Sequence, residues 1–140
     1  MILLVSLVMS MTACSGEPQV GTFETLPAQA QTFFTTYFDK ADIAFVIKER
    51  EGVHYEYQVR LNNGTKIGFD HNGALDFVDC QGKEVPAGIV PQTITTYVAT
   101  NHPQNFITEY NVEKRTLEVE LDNHIEIEFD KNGNFVRYDW

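Results

Sequence analysis

The sequence predicts an α+β fold: two tandem repeats, each of one helix followed by three or four antiparallel strands, sharing one antiparallel sheet with both helices on one face. Three observations predict it. The phrase FDHNG at residues 69–73 returns as FDKNG at 129–133, sixty positions later. A proline-opened apolar stripe precedes each copy, at Pro27 and Pro91. Between stripe and phrase lie segments of strict apolar–polar alternation that end in turn residues.

The chain begins with MILLVSLVMSMTA, residues 1–13, which are uncharged and apolar and too few to span a bilayer. They read as a secretion signal. SMTAC, ending at Cys14, resembles the lipobox of bacterial lipoproteins, although Met11 stands where Leu is more common. That resemblance implies that Cys14 is the lipidated first residue of the mature protein, with 14–25 as a flexible tether. With Cys14 so used, Cys80 has no partner for an internal disulfide and is expected as a small buried hydrophobe.

The first helix opens at Pro27 and carries Ala30, Phe33, Phe34, Tyr37 and Phe38 at spacings of three and four. The second opens at Pro91, carries Ile94, Tyr97 and Val98, and stops before Pro103. Alternation puts Val53, Tyr55, Tyr57, Val59 and Leu61 on one face of a first strand. Leu117, Val119 and Leu121, then Ile125, Ile127 and Phe129, take the matching places in the second repeat.

Parity sets the turns. If Val59 faces Ile67 and Tyr57 faces Phe69, the loop is the three-residue Asn62-Asn63-Gly64. The same count leaves His71-Asn72-Gly73 and Lys131-Asn132-Gly133 as loops, each with glycine third, where the backbone needs a positive φ. Gly64, Gly73 and Gly133 are therefore expected as structural turn residues, and His124 stands where Gly64 stands. FD-x-NG is thus a turn phrase; a calcium loop needs further acidic ligands that HNGALDF and KNGNFVR lack. The expected domain is 26–140, with repeat one at 26–80, a linker at 81–89 and repeat two at 90–140.

The segments LP at 26–27, YEYQVRLNNGTKIGFDHNG at 55–73 and FDKNG at 129–133 resemble the PepSY-like family of secreted bacterial proteins, whose fold is likened to the β-lactamase inhibitor protein. The second copy departs from the pattern, with Thr116-Leu117-Glu118-Val119 in place of Tyr-Glu-Tyr and His124 in place of Gly64. The resemblance implies a non-enzymatic binding or inhibitory module outside the cytoplasm, and it transfers no catalytic residue.

The net charge of −10, from 20 acidic and 10 basic residues, argues against nucleic acid or anionic lipid as partner of the folded part. It fits a basic protein surface, a cation or simple solubility. His54, His71, His102 and His124 show no metal-ligand or catalytic spacing and are expected as solvated surface residues, with no cofactor and no metal site. Parity also places Glu120 opposite Glu126 and Glu118 opposite Glu128, an acidic ladder on the outward face. The expected function is a protein-binding or inhibitory lipoprotein of the cell envelope that uses this exposed face; the alternative is an envelope sensor or binder of a small ligand or cation.

Overall fold

The structure, a computed structural model, describes residues 17–139; the expected signal and Cys14 lie outside the described residues. Its element order is β1 (Gln19–Gly21), α1 (Ala28–Tyr37), β2 (Ile43–Glu51), β3 (His54–Leu61), β4 (Lys66–Phe69), β5 (Leu75–Asp79), α2 (Gln92–Asn101), β6 (Ile107–Val112), β7 (Thr116–Leu121), β8 (Glu126–Asp130) and β9 (Phe135–Asp139). Among the described residues, nine strands form one antiparallel sheet in simple sequence order, so the fold is α+β with a single sheet and two α-helices. Each helix is followed by four strands.

One row of side chains explains how this sheet buries a core. Val46, Val59, Ile67, Val78, Tyr110, Val119 and Ile127 are successive cross-strand partners from β2 to β8, and all are buried. Both helices lie on that face: Phe33 of α1 meets Phe69 edge-on with ring centroids 5.7 Å apart, and Tyr97 of α2 meets Phe129 in the same way at 5.4 Å. Phe34 and Ile94 are sealed beneath them, and burial of such a side chain contributes about 1.5–3 kcal/mol. The expected proline starts hold, since Pro27 and Pro91 precede the first helical residues.

The expected registers are observed. Tyr57 pairs with Phe69 and Val59 with Ile67, and the loop 62–64 is closed by Leu61 N–H donating to Thr65 O. Phe69 pairs with Leu75 and Phe129 with Phe135, which leaves 71–73 and 131–133 as loops. Gly64, Gly73 and Gly133 adopt φ of +92°, +86° and +82°, and His124 at φ 67° takes the corresponding strained place in the β7–β8 turn.

Several expectations are corrected. Residues 19–21, expected within the tether, are strand β1 paired with β2, and Phe23–Thr25 form a 3-10 turn. The segment 81–89 is not a bare linker: Val85 and Ile89 are buried, and Val85 N–H donates to Ile107 O. Val53 lies in the β2–β3 turn and is 81% exposed, and Tyr55, expected on the same core face, is also exposed, so the buried row of β3 begins only at Tyr57. Cys80 is free and buried, as expected, and burial raises its thiol pKa.

Candidate functional site: the open sheet face

The face opposite the helices carries two rows of side chains. The first runs Phe45, Arg60, Lys66, Asp79, Glu109, Glu120, Glu126, Asp139 through successive strand pairs. The second runs Ile47, Gln58, Gly68, Phe77, Asn111, Glu118, Glu128, Arg137. The first row therefore passes from basic to wholly acidic across one sheet.

The expected ladder has its parity: Glu118 pairs with Glu128 and Glu120 with Glu126. Flanking strands extend it with Glu109 on β6 and Asp139 on β9. Some of the charge is offset locally. Arg137 Nη2 lies 2.9 Å from Glu128 Oε2, His124 Nδ1 lies 2.9 Å from Glu120 Oε1, and Asn111 Nδ2 donates to Glu109 Oε1 at 2.9 Å. Among the described residues, Glu118 and Glu126 have no ion-pair partner. Partial burial, then the charges of Glu126, Asp139, Glu113 and Glu109, raises the Glu118 pKa. Burial likewise raises that of Glu109, against the lowering effect of its Asn111 hydrogen bond. One oxygen from each of Glu118, Glu126 and Asp139 falls within 4.8 Å of the others, so the three can share a cation.

The same face is built differently in the first half. The Phe77 ring lies directly on Gly68, where any β-carbon would collide with it. Beside the ring, Ile47, Pro18, Glu56 and Asp76 enclose a cavity of about 130 Å³. Asp76 sits at the bulge where the β4–β5 register shifts. Burial, followed by the charges of Glu56, Asp70 and Glu113, pushes its pKa up to about 6. A larger hollow of about 590 Å³ lies on the helix side between Val85–Val90, α2 and Phe106.

The repeated FD-x-NG phrase has a structural use for its aspartates. Asp70 Oδ1 accepts from Asn72 N–H at 2.8 Å and Ala74 N–H at 2.9 Å, while Asp130 Oδ1 accepts from Asn132 and Asn134 N–H at 2.9 Å each. These bonds hold the Asp130 pKa low. Gly73 then fits against Pro27 and Ala30, and Gly133 against Thr93, so each turn docks on the start of a helix.

His54, His71 and His124 are exposed, as expected, whereas His102 is half-buried. His54 and His71 stack with centroids 4.0 Å apart, and His102 Nε2 lies 3.0 Å from Tyr138 Oη, which is also 3.0 Å from Tyr97 Oη. Sequence reasoning missed Glu109, Asp139, Asp76 and Phe77, the first because β6 was not recognised as a strand. Gly68 opposite Gln58 was the available signal for the cavity, since a glycine inside a strand often marks close approach.

The family model described as "Putative beta-lactamase-inhibitor-like, PepSY-like" matches residues 55–137. The chain belongs to the PepSY-like family. A solved protein of Bacteroides thetaiotaomicron, described as a "putative calcium-regulated periplasmic protein", is similar at 31% identity, with a TM-score of 0.83, over 88% of this chain and 97% of its own. A "putative periplasmic protein" of Bacteroides vulgatus is similar at 34% identity and TM-score 0.83, over 89% and 98% of the two chains. A second protein of that organism, "of unknown function", is similar at 25% identity and TM-score 0.81, over 88% and 99%. No curated protein matches. None of these descriptions names an enzymatic activity. Among the described residues, no helix is long and apolar enough to cross a membrane.

Proposed function

We propose that this PepSY-like chain is a non-enzymatic, lipid-anchored binding module of the cell envelope that presents the acidic half of its open sheet face to a basic protein surface. The observation that carries the reading is the unbroken run Asp79, Glu109, Glu120, Glu126, Asp139 along one cross-sheet row. Like charges facing across strands are destabilising, and the fold does not need them: the ladder positions of β3 and β4 hold Arg60 with Lys66 and Gln58 with Gly68. A mixed-sign face would keep the sheet soluble at lower cost. An acidic face that stays acidic at that cost suits recognition of a cationic surface. The periplasmic descriptions of the solved relatives support the compartment, and SMTAC supports anchoring through Cys14. The shared hairpin registers sixty residues apart support an internal duplication.

Photocrosslinking in the envelope tests this. A crosslinker at position 118 or 128 is expected to capture a protein with a basic surface, with capture falling as salt rises. Equal capture from position 95, on the exposed side of α2, would overturn the reading.

A second reading is favoured by the convergence of Glu118, Glu126 and Asp139 within 4.8 Å, together with the calcium named for the Bacteroides thetaiotaomicron protein. In it, calcium binds these three carboxylates with water completing its oxygen shell. Calcium chloride would then raise the melting temperature above that in sodium chloride of equal ionic strength, and Glu126→Gln would abolish the difference. No calcium-specific rise in the unaltered chain rejects this reading.

A further inference from the structure

We infer that the cavity beside Phe77 is a receptor pocket for one lysine or arginine side chain of the partner, separate from the acidic ladder. The inference rests on the proposal that the partner is basic, and it adds where one of its cationic side chains is anchored.

The walls and the mouth of the cavity ask for different chemistry, and one kind of group satisfies both. Ile47, Pro18 and the Phe77 ring supply apolar walls, while Glu56 and Asp76 bring carboxylates to the same space. Glu49 lines the cavity too, but among the described residues its carboxylate does not converge with those of Glu56 and Asp76 closely enough for the three to hold one metal ion. A neutral apolar ligand would further desolvate the carboxylates without compensating them. An aliphatic stem ending in a cation packs its methylenes on Ile47 and Pro18, as such stems commonly do on apolar surface, and places its charge between the acids. The size agrees, because about 130 Å³ suits a single side chain and falls below the range of about 300–1,000 Å³ usual for whole small-molecule ligands.

Asp76 is available for this role. Among the described residues it has neither a hydrogen bond nor an ion pair, and the charges acting on it, Glu56, Asp70 and Glu113, are all of its own sign. An incoming ammonium or guanidinium would supply the missing counter-charge. Gly68 makes the pocket possible, since any side chain there would displace the Phe77 ring that forms one wall. The corresponding ladder positions in the second half are Glu128 and Arg137, which close this space with an ion pair. The pocket therefore belongs to one half only.

The test uses the full chain and butylammonium as a stand-in for a lysine side chain, with 1-butanol as its neutral counterpart, followed by NMR of the Ile47 methyl groups and the Phe77 ring. Butylammonium is expected to shift these signals saturably, and 1-butanol is not. The Glu56→Gln, Asp76→Asn double variant is expected to weaken binding at least about tenfold. The variant with Glu118, Glu120, Glu126 and Glu128 all changed to Gln is expected to bind as the parent does, which separates this inference from the proposal about the ladder. Because Gly68→Ala could disturb the sheet, the acid-to-amide double variant carries the decision. The inference is overturned if butylammonium gives no saturable shift, if 1-butanol binds equally well, or if the ladder variant loses binding while the double variant keeps it.

Discussion

The β3–β5 and β7–β9 segments share one backbone plan and present opposite surfaces. Gln58–Gly68 and Arg60–Lys66 in the first occupy the same ladder positions as Glu118–Glu128 and Glu120–Glu126 in the second. Both shift register after the penultimate pair of the last hairpin, between Gly68 and Phe69 and between Glu128 and Phe129. Core-facing positions match closely, with Ile67 and Phe69 answered by Ile127 and Phe129. The difference lies on the open face. Packing against a helix limits which residues the inner face accepts, whereas the outer face is free to carry chemistry, and here one half carries an aromatic pocket and the other an acidic ladder.

The largest expected effect breaks what the halves share. Gly73→Val forces a β-branched residue to φ +86° and drives its Cβ to 2.9 Å from Ala30 N and Pro27 Cβ, so it should cost about 3 kcal/mol or more. Gly64→Val meets only Gln81 Cγ at 3.6 Å, so strain alone should cost about 1–2 kcal/mol. Chemical denaturation compares the two, and equal losses would mean that docking of the turn on α1 contributes nothing.

A smaller effect sharpens the contrast between surfaces. Changing Glu118, Glu120, Glu126 and Glu128 together to Gln should stabilise the domain by about 1 kcal/mol at low ionic strength, since two facing like-charged pairs are removed. The pairs to Arg137 and His124 are lost with them; both of these partners are largely exposed, which limits what the pairs contribute, although the Glu128 side chain is mostly buried and takes something from the gain. The gain should shrink as the screening length falls below about 10 Å.

Acid dependence separates the pocket from the rest of its half. The Asp76 carboxyl holds its proton more tightly in the folded chain than in the unfolded one, with a pKa raised from 3.8 to about 6. Its stabilising contribution is therefore present below pH 3.8 and lost as pH rises through about 6. Asp76→Asn should flatten the change in melting temperature across that window and, at pH 7, raise stability by on the order of 1 kcal/mol after allowance for solvent screening. An unaltered pH profile in the variant would show that Asp76 is not held in a costly place.

The smallest effect concerns the one turn that departs from glycine. His124 has φ 67°, and its ring reaches Glu120 at 2.9 Å while remaining exposed. His124→Gly should raise stability by about 0.5 kcal/mol, because the relief of left-handed strain exceeds the loss of an exposed contact. An unchanged or lower melting temperature would mean that the histidine contact matters more than the backbone.

These particulars show what was legible in the amino-acid order. Hairpin registers were, because a side-chain period of two combined with a three-residue glycine loop leaves one pairing, and Glu118 with Glu128 followed from it. β2 was not, because it has apolar residues on both faces: Val46 points to the core, while Phe45 and Ile47 lie on the open side. No alternation signals such a strand. Without β2 and β6, the outer rows could not be followed past the hairpins, so Glu109 and the acidic run stayed hidden. The segment 81–89 looked polar and proline-containing, and only the fold brings Val85 and Ile89 under α2 and β6. The cavity beside Phe77 depends on a ring lying over a glycine on the neighbouring strand; Gly68 hinted at a close approach, but which side chain fills it follows only from the β4–β5 register.

In the proposed function, the acidic half of the open face receives a cationic partner. Its most direct test is a backbone NMR titration of the chain with an oligolysine peptide at low salt, repeated with the four ladder glutamates changed to Gln. Shifts are expected on the outward residues of β6–β9, reversed by added salt and absent there in the variant, while Ile47 and Phe77 at the separate pocket respond in both chains. Shifts that spread over α1 and α2, or that persist unchanged on β6–β9 in the variant, would contradict it.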